Sequence, residues 1–340
     1  MGKLILVFRS IGNLLMMLFT VSVFRFTKGN YGLKYAQQTF FIFGGKPGTL
    51  ASKILRKKRN FKLNHVEHNL SSEIDYKTID SKLKQQGFAV EKKFLSQESV
   101  KSIKDFSLKN LGAYRETDKG EGALANILFD PSDPKAIRYD YSPSTVLACT
   151  DVQKVLSDKR VLAIAQNYLG GEPILDFVAM WWHTKSLKPD SNAAQLFHFD
   201  MDRLRWIKFF FYVTDVGIDN GPHVYVPSSH HDNALPFSLR KRGYVRHSDK
   251  DVARHFPESN WKFFTGEAGT MIAEDTRGLH KGAHVLRGNR LLFQLQFTSA
   301  LYGKSEEPDN MALNSSVLTK ELRHAIGEFP HIYQKVKILN

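Results

Sequence analysis

Apolar residues follow three different spacings along the chain. From Leu4 to Val23 they run almost unbroken (LILVFRSIGNLLMMLFTVSV), about the length a helix needs to cross a bilayer. Arg9 and Asn13 interrupt that run. At about 100° per residue, Gly2, Arg9, Asn13, Thr20 and Thr27 fall within roughly 40° of one another. A narrow polar stripe on an apolar helix suits one lying in the membrane interface, its arginine reaching toward phosphates. The alternatives are a single spanning helix, a targeting peptide and an ordinary helix packed on the core.

From about residue 75 the texture turns globular. A helix ends over Lys82 to Gly87, Phe88 to Val90 reads as a short strand, and Ser96 N-caps a second helix. Gly112 to Pro143 reads as a loop-rich stretch able to fold over a site. A further helix is expected from Val152 to Tyr168, stopped by Gly170 and Gly171. Beyond Gly171 the pattern becomes that of strands: Ile174 to Thr184, Arg205 to Asp215, Val224 to Val226 ended by Pro227, Thr270 to Ala273 and Leu291 to Thr298. Turn residues such as Asp219-Asn220-Gly221 punctuate them. Many strands without alternating helices predict a mainly β fold with flanking helices, an antiparallel sandwich or jelly roll. Leu318 to Ile326 and Ile332 to Lys337 look helical. No internal repeat is present.

Composition narrows the class. An apolar fraction of 42% with 25 Phe fills a substantial core, which excludes a disordered chain. Cys149 is the only cysteine, so no intramolecular disulfide or thiolate cluster forms, and chemistry falls to His, carboxylates, Arg and Lys. The net charge of +14 is uneven: no Asp or Glu precedes Glu67, while twelve Lys and Arg lie between Lys3 and Lys62. Residues 67–340 carry 36 basic and 34 acidic groups. The main domain is therefore nearly neutral, and no nucleic-acid-binding face is expected. The basic leader, including the cluster Lys53 to Arg59, is drawn to anionic headgroups.

The chemistry gathers in two places. In Gln195-Leu-Phe-His198-Phe-Asp200, a strand aims His198 and Asp200 at one side while Phe199 points away. A third ligand from another strand would complete a two-histidine, one-carboxylate set with open positions. His280 lies just beyond the strand that follows Gly269, and ten residues later Arg290 opens an apolar strand. Burying that arginine is costly unless it meets a carboxylate, which a dicarboxylate cosubstrate would bring.

These segments resemble the phytanoyl-CoA dioxygenase family of Fe(II)/2-oxoglutarate oxygenases. The similarity runs over LKQQGFAVEKKFLSQESV (residues 83–100), Gln195 to Asp200, VTDVGIDNGPHVYVPSSHH (213–231) and AGTMIAEDTRGLHKG (268–282), and spans roughly residues 75–300. It implies a double-stranded β-helix (jelly roll, cupin-like). It further implies that His198, Asp200 and His280 bind Fe(II), and that Arg290, rather than the rival Arg287, pairs with the distal carboxylate of 2-oxoglutarate. Gly221 and His230 hold motif positions that look structural, Ser229 stands where the family usually has Gly, and Phe210 matches an aromatic position near the cosubstrate. Retention of Asp200, where related halogenases have Gly or Ala, implies hydroxylation. The expected division is a basic, acid-free segment over 1–66 carrying the apolar interface helix, an oxygenase domain over 67–303 and a helical tail over 304–340.

Of the remaining residues, His183 reads chiefly as a satisfied sheet histidine. One of Trp181 and Trp182 belongs to the core and the other lines the site. Arg203, Arg205 and Lys208 read as a solvated strand edge or as a grip on an anionic substrate. His223, His231, His247 and His255 read as surface or loop residues. The functional expectation is a hydroxylase of a small-molecule or lipid-like substrate that releases succinate and CO2. It is cytoplasmic and peripheral on a membrane through residues 1–62, with organelle targeting or a single span as alternatives. The competing functions are a non-catalytic jelly-roll binding protein and a zinc hydrolase, whose donor set is the same. No oligomeric state is legible.

Overall fold

The computed structural model describes residues 2–24, 32–57, 76–115, 125–185, 194–302 and 311–340. The expectations for Thr27, for Lys58, Arg59 and Lys62 of the basic leader, and for both domain boundaries lie outside the described residues.

Three helices begin the chain: α1 (Gly2–Phe24), α2 (Gly32–Phe43) and α3 (Lys46–Leu55). Then come α4 (Tyr76–Gln86), β1 (Phe88–Glu91), α5 (Gln97–Lys109), β2 (Leu111–Arg115), β3 (Ala125–Leu128) and β4 (Arg138–Tyr141). Ser96 caps α5 as expected, its side chain accepting from the Ser99 amide. The stretch read as loop between Gly112 and Pro143 thus holds β3, β4 and most of β2, short strands whose alternation is too brief to stand out.

Next are α6 (Pro143–Ala148), α7 (Thr150–Leu156) and α8 (Lys159–Leu169). The single helix expected over Val152 to Tyr168 is two, broken where Asp158 leaves the helix to cap α8 by accepting from the Arg160 amide. Gly170 ends α8 in the left-handed conformation, φ 70°. The strand region holds β5 (Ile174–Thr184), β6 (Trp206–Tyr212), β7 (His223–Tyr225), the short helices α9 (Phe237–Arg240) and α10 (Asp249–Ala253), β8 (Lys262–Phe264), β9 (Met271–Glu274), β10 (His280–Gly282) and β11 (Asn289–Thr298). The tail contains β12 (Ala312–Asn314), α11 (Lys320–Glu328) and β13 (Lys337–Leu339). The helix expected over Ile332 to Lys337 is instead a turn leading into β13, which pairs with β12.

Two antiparallel sheets face each other. The larger runs β1-β9-β6-β11-β5-β4-β2-β3 and the smaller β10-β7-β8, extended by a bridge between His198 and His280. In chain order the strands pass back and forth between the sheets, giving β9-β6-β11-β5 against the His198 segment, β10, β7 and β8. This is jelly-roll topology.

Strand alternation separates the larger sheet's two faces. Leu291, Phe293, Leu295 and Phe297 join the main core with Val178, Met180, Trp182, Ile207, Phe209 and Phe211, a face covered by α5 to α8. The intervening Arg290, Leu292, Gln294 and Gln296 line a cavity with Phe177, Ala179, Trp181, His183, Lys208 and Phe210. Of the two tryptophans, Trp182 is therefore core and Trp181 lines the cavity.

The N-terminal helices pack on this domain. Met17 and Val21 of α1, Ala36 of α2 and Ala51 of α3 form one buried cluster with Leu204 and Tyr302. Among the described residues no helix is long and apolar enough to cross a membrane.

Candidate metal centre

His198 and Asp200 sit on the segment bridged to β10, and His280 opens β10 itself. The chain around them fixes their aim. The His198 and His280 amides each donate to the other's carbonyl at 2.9 Å, and the Asp200 amide donates to the Thr276 carbonyl at 2.8 Å. Nδ1–H of His198 donates to the Leu196 carbonyl (2.9 Å), and Nδ1–H of His280 to the Gly278 carbonyl (3.0 Å). Both bonds select the tautomer that leaves Nε2 as a lone pair. Those Nε2 atoms lie 3.8 and 3.6 Å from the two oxygens of Asp200, and a set of donor atoms from the three residues lies within 4.8 Å of one another.

The turn before His280 is tightly held. Arg277 pairs with Asp275 through Nε and Nη2, Tyr168 donates to Asp275, and Tyr225 donates to the Asp275 carbonyl (2.9 Å). Gly278 is required there by space: a Cβ would stand 2.1 Å from the Tyr225 hydroxyl. Ser229 donates to the Val226 carbonyl and accepts from the Leu279 amide, so its hydroxyl fastens the motif turn onto the ligand strand. The preceding Ser228 takes a left-handed φ of 65°.

Electrostatics favour metal binding. Burial drives His198 well below its ordinary pKa and lowers His280, so both imidazoles are neutral ligands. Burial alone would raise Asp200, but the Lys208 ammonium outweighs it and holds the carboxylate ionised. Lys208 Nζ lies 2.6 Å from Asp200 Oδ2 and 3.0 Å from Asp202. With Oδ2 engaged, Oδ1 is the oxygen facing His198 that is left to a metal. The donor set and its burial fit a divalent ion of the two-histidine, one-carboxylate kind.

Arg290 lies on the same cavity wall, 2% exposed. Its Nη2 donates to His183 Nδ1 (2.6 Å), while Nε and Nη1 are buried without a hydrogen-bond partner among the described residues. Burial depresses this guanidinium to about 10. Arg287 is exposed. His183 is not merely a satisfied sheet residue: it lines the cavity and orients Arg290.

Several readings are corrected. His223 and His247 are buried, not surface residues, at 7% and 0% exposure. His223 lies against the rings of Phe210 and Phe264, near His280, with Nε2 2.7 Å from Glu274 Oε2. Burial lowers His223 to about 3 and raises Glu274 to about 8. His231 and His255 are exposed, as expected. Arg203 neither edges a strand in water nor grips a ligand: it is buried against Asp176, at 2.7 and 2.9 Å. Arg205 lies over the Tyr168 ring.

The cavity measures about 470 Å³ and is lined by both sheets, by Arg138, Asp140 and Tyr141, by Tyr244 and Arg246, and by Leu33 and Gln37 of α2. Sequence reasoning missed the contributions of β4 and α2. The legible signal was Lys208, a charge alternating with Phe210 and Tyr212 in a strand too apolar to be an edge.

No protein-family model matches the chain, and no curated protein matches it either. Solved structures similar to it include the epimerase SnoN in complex with Fe3+, alpha ketoglutarate and nogalamycin RO, at 14% identity and a TM-score of 0.47, covering 68% of this chain and 87% of that one. EvdO2 from Micromonospora carbonacea var. aurantiaca, complexed with 2-oxoglutarate, is 15% identical with a TM-score of 0.48, over 70% of this chain and 96% of that one. HygX from Streptomyces hygroscopicus, with nickel and 2-oxoglutarate bound, is 16% identical with a TM-score of 0.45, over 74% and 94%.

Proposed function

We propose that this protein is an Fe(II)/2-oxoglutarate-dependent oxygenase that hydroxylates a small-molecule substrate and releases succinate and CO2. The observation that carries the reading is Arg290: a buried guanidinium with two unfilled donors and, among the described residues, no carboxylate partner, opening on the cavity that holds His198, Asp200 and His280. A zinc hydrolase would use the same three ligands but offers no reason for that arginine. The order and spacing of the sequence segments further support a place beside the phytanoyl-CoA dioxygenases.

In this reading His198, Asp200 and His280 hold Fe(II), which when bound couples oxidative decarboxylation of 2-oxoglutarate to insertion of one oxygen atom of O2 into a substrate C–H bond. Arg290, whose Nε and Nη1 are without partners among the described residues, would hold the distal carboxylate of 2-oxoglutarate, and His183 orients it through Nη2. Lys208 keeps Asp200 ionised and turned toward the imidazoles. Trp181, Phe177, Gln294 and Gln296 wall the cavity where substrate would lie and limit its access to water.

Anaerobic titration of Fe(II) and 2-oxoglutarate into the protein is expected to raise a metal-to-ligand charge-transfer absorption band that His198→Ala abolishes. Absence of the band from the wild-type protein would overturn the assignment.

A further inference from the structure

We propose that the outer face of α1 and α3 seats on an anionic membrane interface, a surface that goes beyond the oxygenase reading and does not depend on it.

Ile11, Leu15, Leu18 and Phe19 lie on one side of α1, spaced as successive turns require. They are 45%, 60%, 39% and 61% exposed. On α3, Leu50 and Ile54 are 56% and 43% exposed, flanked by exposed Lys46 and Lys53. The two helices pack against each other, and exposed large apolar side chains grouped in this way mark interaction or membrane sites.

The way α1 is mounted decides how it meets a bilayer. Its opposite side is fixed to the domain through Met17 and Val21. Thr20 of the polar stripe lies 2.6 Å from the Tyr302 hydroxyl. At that point the stripe faces the protein rather than headgroups, the reverse of the orientation expected from sequence. A helix anchored along its flank presents its apolar side to the interface without crossing it.

Charge selects the occupant. Residues 1–66 contain no Asp or Glu, and Lys46, Leu50, Lys53 and Ile54 share one face of α3. Apolar side chains framed by ammonium groups match a lipid surface bearing negative headgroups. A second copy of the chain would instead oppose these lysines with the same lysines.

The seating has a consequence for the cavity. α2 packs beneath α1 and α3, lines the cavity with Leu33 and Gln37, and donates from Gln37 Nε2 to the Met201 carbonyl (3.2 Å), next to Asp200. A membrane seat would thus place the cavity wall one helix thickness, about 10 Å, from the lipid.

The test is flotation of the full chain with phosphatidylcholine vesicles, with and without phosphatidylglycerol. Binding is expected to the anionic vesicles, weakening as salt rises. Leu15→Ser with Phe19→Ser should weaken it tenfold or more. Lys46→Gln with Lys53→Gln should weaken it about fivefold per lysine. All four side chains are exposed, so melting temperature and the iron–oxoglutarate absorption should match the wild type in both variants. Failure to float with either vesicle would overturn the proposal, as would equal flotation of the wild type and the apolar variant. A concentration-dependent dimer lost in that variant, without vesicle binding, would assign the face to self-association and also overturn it.

Discussion

Arg290, buried, and Lys208, partly buried, are two cavity cations with opposite needs. Among the described residues Arg290 has a neutral histidine as its one partner, so its unfilled donors gain most from an incoming carboxylate. Charge-assisted hydrogen bonds contribute about 1.5–3 kcal/mol each. With both unfilled donors lost, about 3–6 kcal/mol, Arg290→Ala should weaken 2-oxoglutarate binding by roughly a hundredfold or more while leaving Fe(II) affinity near wild type. Titrating each ligand separately by absorbance checks this; equal loss of both affinities would contradict it. Lys208 is already satisfied by Asp200 and Asp202. Its removal strands a buried carboxylate, at a cost of roughly 3 kcal/mol in the metal-free protein. A bound divalent ion supplies replacement positive charge. The rise in melting temperature on adding Fe(II) should then be larger in Lys208→Met than in wild type, and equal rises in calorimetry would refute the assigned role.

At the scale of elements, the two faces of β11 separate stability from site chemistry. Phe293 packs in the main core and stacks on Phe211 at 4.5 Å, so Phe293→Ala should cost about 3–5 kcal/mol. Gln294, one residue on, lines the cavity. Gln294→Ala should change stability by less than about 1 kcal/mol and leave the iron–oxoglutarate absorption intact, while altering turnover of whatever substrate a metabolite screen identifies. Urea unfolding of the two variants would expose an inverted assignment. The same alternation explains what the sequence made legible. Long strands such as β5, β6 and β11 declare themselves over many residues, and the two-residue spacing of His198 and Asp200 fixes a shared face. Short strands carry less: β4 has four residues and β7, legible as Val224 to Val226, has three, too few for a period to show that Arg138, Asp140 and His223 face the cavity. Lys208 and Arg203 show a different difficulty. Basic residues beside a strand resemble a solvated edge until the carboxylates that bury them, Asp200 and Asp176, are brought close by pairing between distant segments.

Across the whole molecule, Asp176 ties three regions together. It accepts from Arg203 beyond the ligand segment, from Gln296 of β11 and from Lys335 of the C-terminal tail, at 2.7–3.0 Å. Burial pushes its pKa up, but Arg203 and Lys335 outweigh that and hold it below the usual carboxylate value. A carboxylate depressed in the folded state contributes stability that is fully present above its unfolded pKa of about 3.9 and is lost as pH falls through the lower folded value. At neutral pH, Asp176→Asn leaves Arg203 buried opposite a neutral amide and should destabilise the fold by roughly 3–5 kcal/mol. As the solution is acidified, the wild-type side chain itself becomes neutral, and the two proteins should converge. Melting temperatures of wild type and Asp176→Asn, followed from neutral pH downward, test this directly. A gap that stays constant below about pH 4, while both proteins still fold, would mean that the carboxylate's charge is not what joins the tail to the strands.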